Sequence, residues 1–164
     1  VLSLQPSASA RCRGGRLISL DARPVQEALA HRLVPLVYGD VAFDEVWGGT
    51  IASTEDLFVY LADKFEPDRV LLLSRVPGVL DVNGRVISRI TPDDLPDLQE
   101  ALSGSEAVDV TGGMADKVER MVDLVRRHPQ TTVRILTGTR PGLLTRCLLD
   151  EAFDAGTRIH AGLT

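Results

Sequence analysis

Apolar side chains along this chain keep switching between a helical spacing and short unbroken runs, and that alternation predicts the fold. Val25, Leu29 and Leu33 recur at helical spacing after Pro24, which suits a first helical turn because proline has no N–H to leave unpaired there. The helix is expected to feed the run Val34-Pro35-Leu36-Val37-Tyr38, read as a buried strand that stops at Gly39-Asp40. Over residues 56–65, Leu57, Tyr60, Leu61 and Phe65 share one helical face, with Ser53 or Thr54 placed to cap the first turn. Val70-Leu71-Leu72-Leu73 is apolar throughout, as in a strand covered on both faces, and such strands belong to parallel sheets. Helices over residues 113–128 and 142–149 and strands over 132–136 and 157–159 continue the alternation.

Turn chemistry fills the intervals. The first residues, 1–4, read as a strand, and Arg13-Gly14-Gly15-Arg16 reads as the turn of a peripheral surface hairpin that Leu17, Ile18 and Leu20 continue. Asn83-Gly84, inside an alternating stretch over residues 80–89, is a strong short-hairpin signal. Thr91-Pro92-Asp93-Asp94 opens a further helix expected to end near Gly104. The expected architecture is α/β: a three-layer α/β/α sandwich on a mainly parallel sheet, with residues 1–164 as one domain. Ligands of such sheets sit at strand C-terminal ends, where Gly39, Ser74 and Gly138 fall.

Composition narrows the function classes. With 44% hydrophobic and 25% charged residues in 164, the chain is rich enough in apolar side chains to bury a core. No apolar run approaches the roughly 20 residues of a membrane-spanning helix, so no membrane partner is expected. The net charge of −5 has no basic concentration, which excludes nucleic acid as an expected partner. Cys12 and Cys147 stand apart with no CxxC or Cys/His cluster, so neither a metal site nor a disulfide framework is expected, and a reducing cytoplasm fits best. The chain begins with Val1 inside an ordered pattern, and the sequence is therefore expected to be part of a longer protein.

The most specific local feature is Thr111-Gly112-Gly113-Met114-Ala115-Asp116-Lys117, glycines opening an amphipathic helix with a lysine in its first turn. Small residues let phosphate oxygens approach backbone N–H groups, the helix dipole favours the anion, and an ammonium adds a full charge. The same residues also suit a plain glycine-rich loop with a solvated lysine. Asp40 is similarly open, either orienting polar groups around a ligand or capping the next turn. His31 and His128 read as helix-end residues, Trp47 as a hairpin-packing aromatic and Cys147 as core.

Several of these segments together resemble the amino acid kinase family, and within it the isopentenyl phosphate kinases. Gly112, Gly113, Met114 and Lys117 match the GGM-x-x-K motif of the family. The run from Val34 through Val41 is similar to a "P-V-L-Y-G-D-V" strand, and Gly49-Thr50-Ile51-Ala52-Ser53-Thr54-Glu55-Asp56 to a "T-I-I-S-G-D-D" segment. Residues 70–81, 135–141 and Gly156-Thr157-Arg158-Ile159 follow in the family's order. The resemblance implies transfer of the ATP γ-phosphoryl group, with Mg²⁺, onto the phosphate of isopentenyl phosphate. It assigns Lys117 to the charge of the transferring group and Gly112 and Gly113 to nucleotide contacts. Gly39 and Thr54 are assigned to the acceptor phosphate, and Glu55 and Asp40 to organising the site.

Departures are as informative as matches. Ser74-Arg75-Val76-Pro77-Gly78-Val79-Leu80 stands where the family has "T-D-V-D-G-V-Y", which makes Arg75 and Leu80 position-matched nucleotide contacts of changed chemistry. The family's "K-L-G-G-S" loop and "H-G-G-G" segment are absent, so these residues alone are expected not to catalyse. The resemblance further implies a small-molecule phosphate substrate and a homodimer. Its rivals are another kinase of the family, acting on UMP, glutamate, N-acetylglutamate, carbamate or fosfomycin, and a non-catalytic nucleotide-binding or storage member.

Overall fold

Glycine turns and apolar runs place the elements seen in the computed structural model, which describes residues 1–98 and 113–162. The chain divides into two units, Val1–Glu66 and Pro67–Thr164. In the first, β1 (Leu2–Ser3) pairs in parallel with β4 (Pro35–Leu36), and a short 3-10 turn, Pro6–Ala8, follows β1. Gly14 and Gly15 hold positive φ of 55° and 79° and close the hairpin of β2 (Arg11–Arg13) and β3 (Arg16–Ser19). Helix α1 (Arg23–Ala30) has proline in its first turn, and β5 (Asp40–Asp44) pairs antiparallel with β6 (Gly48–Ala52). Helix α2 (Thr54–Phe65) is capped by Ser53, whose Oγ accepts the Asp56 N–H at 3.1 Å. The strands lie in the order β3-β2-β5-β6.

Two expectations change here. The hairpin is not peripheral, because Ala10, Cys12 and Leu20 are buried with Ala42, Ala52 and Leu57 in one core cluster. Alternation along β2, β5 and β6 sends one small side chain per strand inward, and Leu57 of α2 fills the space above them. Truncating Leu57 to Ala would cost about 2–5 kcal/mol. The run through Tyr38 is not a buried strand either. Only Pro35–Leu36 is extended in a sheet, and Val34 and Leu36 are 62% and 50% exposed, as is half of Leu29 in α1.

The second unit holds β7 (Arg69–Ser74), β8 (Arg89–Ile90), α3 (Gly113–Arg127), β9 (Thr132–Thr137), α4 (Leu143–Leu149) and β10 (Thr157–Ile159). The sheet order is β7-β9-β10-β8: β7 is parallel to β9, β10 parallel to β8, and β9 antiparallel to β10. One face carries Val133, Ile135, Ile159 and Ile90, all essentially buried, against the α3 stripe of Val118, Met121, Val122 and Val125. The other carries Leu71 and Leu136, on which Leu143 and Cys147 of α4 pack. Helices on both faces make this an α/β/α sandwich on a mixed sheet. The Asn83-Gly84 turn forms, with Leu80 bridged to Val86, but no extended hairpin follows. Helix begins at Leu95, and its expected end near Gly104 lies outside the described residues, as do Thr111 and Gly112.

Candidate functional site

The residues singled out from the sequence fall into two groups, one in each unit. In the first unit, β5 starts at Asp40 opposite Ala52 of β6, and the chain then turns through Ser53 into α2. This pairing sets Gly39 against the start of α2. A Cβ on Gly39 would stand 3.3 Å from Thr54 Oγ1, 3.4 Å from the Ala52 carbonyl oxygen and 3.5 Å from Thr54 N. The group thus offers one position without a side chain, Gly39, beside a helix N-terminus, where backbone N–H groups favour an anion. Thr54 is exposed and Glu55 half-buried.

Asp40 ties this loop to the start of the chain. One carboxylate oxygen accepts the Ser7 N–H at 3.0 Å and the other accepts the Val41 N–H at 2.9 Å. The hydrogen bonds from Ser7, by side chain and by backbone, hold the Asp40 carboxyl below the usual carboxylate range. It is the ionised form that fixes the approach to Gly39, and each oxygen keeps a second lone pair for a further donor.

In the second unit, β7 and β9 end side by side, Ser74 opposite Thr137. Gly138 N donates to the Ser74 carbonyl at 2.8 Å, and Ser74 Oγ donates to the Val76 carbonyl at 2.6 Å, which curls the loop carrying exposed Arg75 across the strand ends. A Cβ on Gly78 would stand 2.7 Å from Thr157 Oγ1, and Val79 N donates to that same hydroxyl at 2.8 Å. Leu80, half-buried, leaves this loop for its bridge to Val86.

Helix α3 completes the edge. Its 15 residues span about 22 Å at 1.5 Å each, close to the roughly 20 Å of the six-residue β9 that runs back beneath it. The α3 N-terminus, with Gly113 and Lys117, therefore returns toward the edge where β7 and β9 end. Gly113 has φ of 59°, and among the described residues nothing lies within 4 Å of the place its Cβ would take. Lys117 is half-buried one turn further on.

Two positions of structural weight gave little or no signal in the sequence. Asp44 is buried and accepts four backbone N–H groups, from Gly14, Gly15, Val46 and Trp47, at 2.8–3.1 Å. It clamps the hairpin turn to the β5–β6 turn, and Trp47 covers Gly15, consistent with a packing role for that aromatic. Gly156, at φ 70°, lets the Ile135 carbonyl approach where any Cβ would collide. Its signal was only its place in the Gly156-Thr157-Arg158-Ile159 match.

Residues 2–136 match the model of the amino acid kinase family. The chain is 42% identical over 144 residues to an isopentenyl phosphate kinase of Haloferax volcanii, covering 85% of this chain and 57% of that protein. It is 34% identical over 158 residues to an isopentenyl phosphate kinase of Methanocaldococcus jannaschii, covering 96% and 57%. Among solved structures, one of isopentenyl phosphate kinase superposes with a TM-score of 0.76 at 28% identity, covering 96% of this chain and 58% of that one. The chain thus spans less than two thirds of the length of these relatives.

Proposed function

This chain belongs to the amino acid kinase family, and on that premise we propose that the whole protein transfers the γ-phosphoryl group of ATP to isopentenyl phosphate. The bond from the γ-phosphorus to the β,γ-bridging oxygen breaks, a bond to an acceptor phosphate oxygen forms, and ADP leaves with isopentenyl diphosphate. The observation that carries the reading is the 34% identity to an isopentenyl phosphate kinase over 96% of the chain, a span that takes in both residue groups.

The geometry is compatible with the roles that the family resemblance implies. Phosphoryl transfer depends on positioning and charge stabilisation, with little covalent chemistry for the protein to perform. Gly113, bare and at a helix start, suits a backbone contact to nucleotide phosphates, Gly112 precedes it, and Lys117 brings the cation that meets charge on the transferring group. Arg75 and Leu80, in the loop that leaves β7, serve the nucleoside end. Gly39 and the Thr54 N–H receive the acceptor phosphate, while Asp40 and Glu55 orient the cations and amides around it.

The residues present suit ATP by these contacts. Among the described residues no group of three or more His, Cys, Asp or Glu side chains is placed to hold a metal ion, so in this reading Mg²⁺ arrives on the ATP phosphates and neutralises part of their charge. No helix among the described residues is long and apolar enough to cross a membrane. The reading places the protein in the cytoplasm, as a homodimer, in keeping with the family resemblance.

The test is ADP release by the whole protein with Mg²⁺-ATP, comparing isopentenyl phosphate, dimethylallyl phosphate, UMP, glutamate and N-acetylglutamate. Turnover confined to the two isoprenoid phosphates supports the reading, and turnover confined to another acceptor replaces the substrate. ATP binding without turnover on any acceptor favours a non-catalytic nucleotide binder, the alternative that Arg75 and Pro77 suggest.

A further inference from the structure

Charge on the edge of the second unit where β7 and β9 end is one-sided. The loop that leaves β7, residues 75–80, and the loop that leaves β9, residues 138–142, hold two arginines, Arg75 and Arg140, and no carboxylate, in a chain whose net charge is −5. Asp81, the first acid beyond them, is engaged in its own turn, where one oxygen accepts the Asn83 and Arg85 N–H groups at 2.8 Å each. The first turn of α3 adds one charge of each sign, Asp116 and Lys117, so the positive excess rests on the two arginines. Arg75 and Arg140 are exposed, and neither side chain makes a hydrogen bond or an ion pair among the described residues.

One hydroxyl ties the two loops together. Thr137 Oγ1 donates to the Arg75 carbonyl at 3.4 Å and accepts the Thr139 N–H at 3.3 Å, and the Thr139 hydroxyl lies 2.9 Å from it. Gly138 N reaches across to the Ser74 carbonyl at 2.8 Å, so the loops leave the sheet side by side with a bare glycine at their junction. Pro141 then restricts Arg140, because a proline ring crowds the residue before it and disfavours helical backbone there. Arg140 therefore stands two residues beyond Gly138, on a segment that Thr137 and Pro141 hold from either side.

Resting on the reading of this edge as the nucleotide site, we propose that Arg140 is a further nucleotide-binding residue whose guanidinium takes a phosphate oxygen of ATP or ADP. A guanidinium offers only donors, so an edge whose charged loop residues are both arginines holds acceptors, and phosphate oxygens match the planar fork. In a bound nucleotide the phosphates run from the nucleoside end, assigned to Arg75, to the transferring group, assigned to Lys117. Arg140 is the remaining cation of the two loops and serves that stretch, while the absent side chain of Gly138 leaves the junction open.

The experiment is calorimetric titration of the whole protein with ADP at low and at high salt, comparing the wild type with Arg140→Gln and Arg140→Lys. The expected result at low salt is an ADP affinity at least about tenfold weaker in Arg140→Gln, with part of the loss recovered in Arg140→Lys. The deficit of Arg140→Gln should shrink at high salt, because an exposed charge contact is screened. Arg140 makes no described side-chain contact, so the substitutions leave the fold intact. No acceptor is present, so the outcome is independent of which phosphate the whole protein phosphorylates. Equal ADP affinity in Arg140→Gln, or a deficit that salt does not change, overturns the assignment and leaves the nucleotide site standing. A wild type that binds no ADP overturns the reading of the edge and this assignment with it.

Discussion

Gly39 lies so close to Thr54 that a Cβ added to it would stand 3.3 Å from the threonine hydroxyl and 3.5 Å from its backbone nitrogen. The contact joins the end of the Tyr38-Gly39 loop to the first residue of α2, the place assigned to the acceptor phosphate. Gly39→Val should fill that space. We expect the KM for isopentenyl phosphate to rise about tenfold or more with the KM for ATP within about twofold, as read from initial rates. Equal changes in both constants would detach Gly39 from the acceptor.

Lys117 is assigned to charge that grows during transfer. Its replacement by Ala should therefore lower kcat by about 10²–10³-fold while acceptor binding stays nearly constant. An unchanged kcat removes Lys117 from the mechanism.

Asp44 supplies a pH dependence. Burial by itself would raise its carboxyl, but the N–H groups of Gly15, Trp47, Val46 and Gly14 outweigh that and hold it down to about 2. The unfolded carboxyl titrates near about 4, so the stability from this group is fully present above that pH and is lost as the pH falls through about 2. Asp44→Asn, which cannot accept all four N–H groups, should lower Tm by several degrees at neutral pH, and its deficit should shrink between about pH 4 and pH 2. A deficit independent of pH would show that the carboxylate charge contributes nothing.

Much of this was legible because it is local. The Val70-Leu71-Leu72-Leu73 run, the α3 stripe and the Gly14-Gly15 turn each rest on residues a few positions apart. The Asp44 clamp was not legible, since its partners are backbone groups as far as 30 residues upstream and leave no mark in side-chain pattern. Val34 to Tyr38 misled for a related reason: an apolar run records that a segment is apolar, not which neighbours cover it. Gly39, Gly113 and Lys117 stood out as a strand end and a glycine-lysine helix start, their assignment and that of Thr54 to particular ligands came through resemblance, and geometry adds that a side chain at Gly39 would meet Thr54.

Gly156 makes the sharpest structural prediction. With its positive φ and the Ile135 carbonyl where a Cβ would go, Gly156→Ala must displace β9 or β10. Chemical denaturation should show a loss of about 3 kcal/mol or more. A loss below about 1 kcal/mol would mean that the close approach does not exist.

The central claim is most directly tested by the fate of the label when the whole protein is given Mg²⁺-ATP carrying ³²P in the γ position together with isopentenyl phosphate. The account predicts that label leaves ATP in step with ADP formation and appears in the terminal phosphate of isopentenyl diphosphate. Label released as inorganic phosphate, or retained in ATP while isopentenyl phosphate remains unchanged, would contradict it.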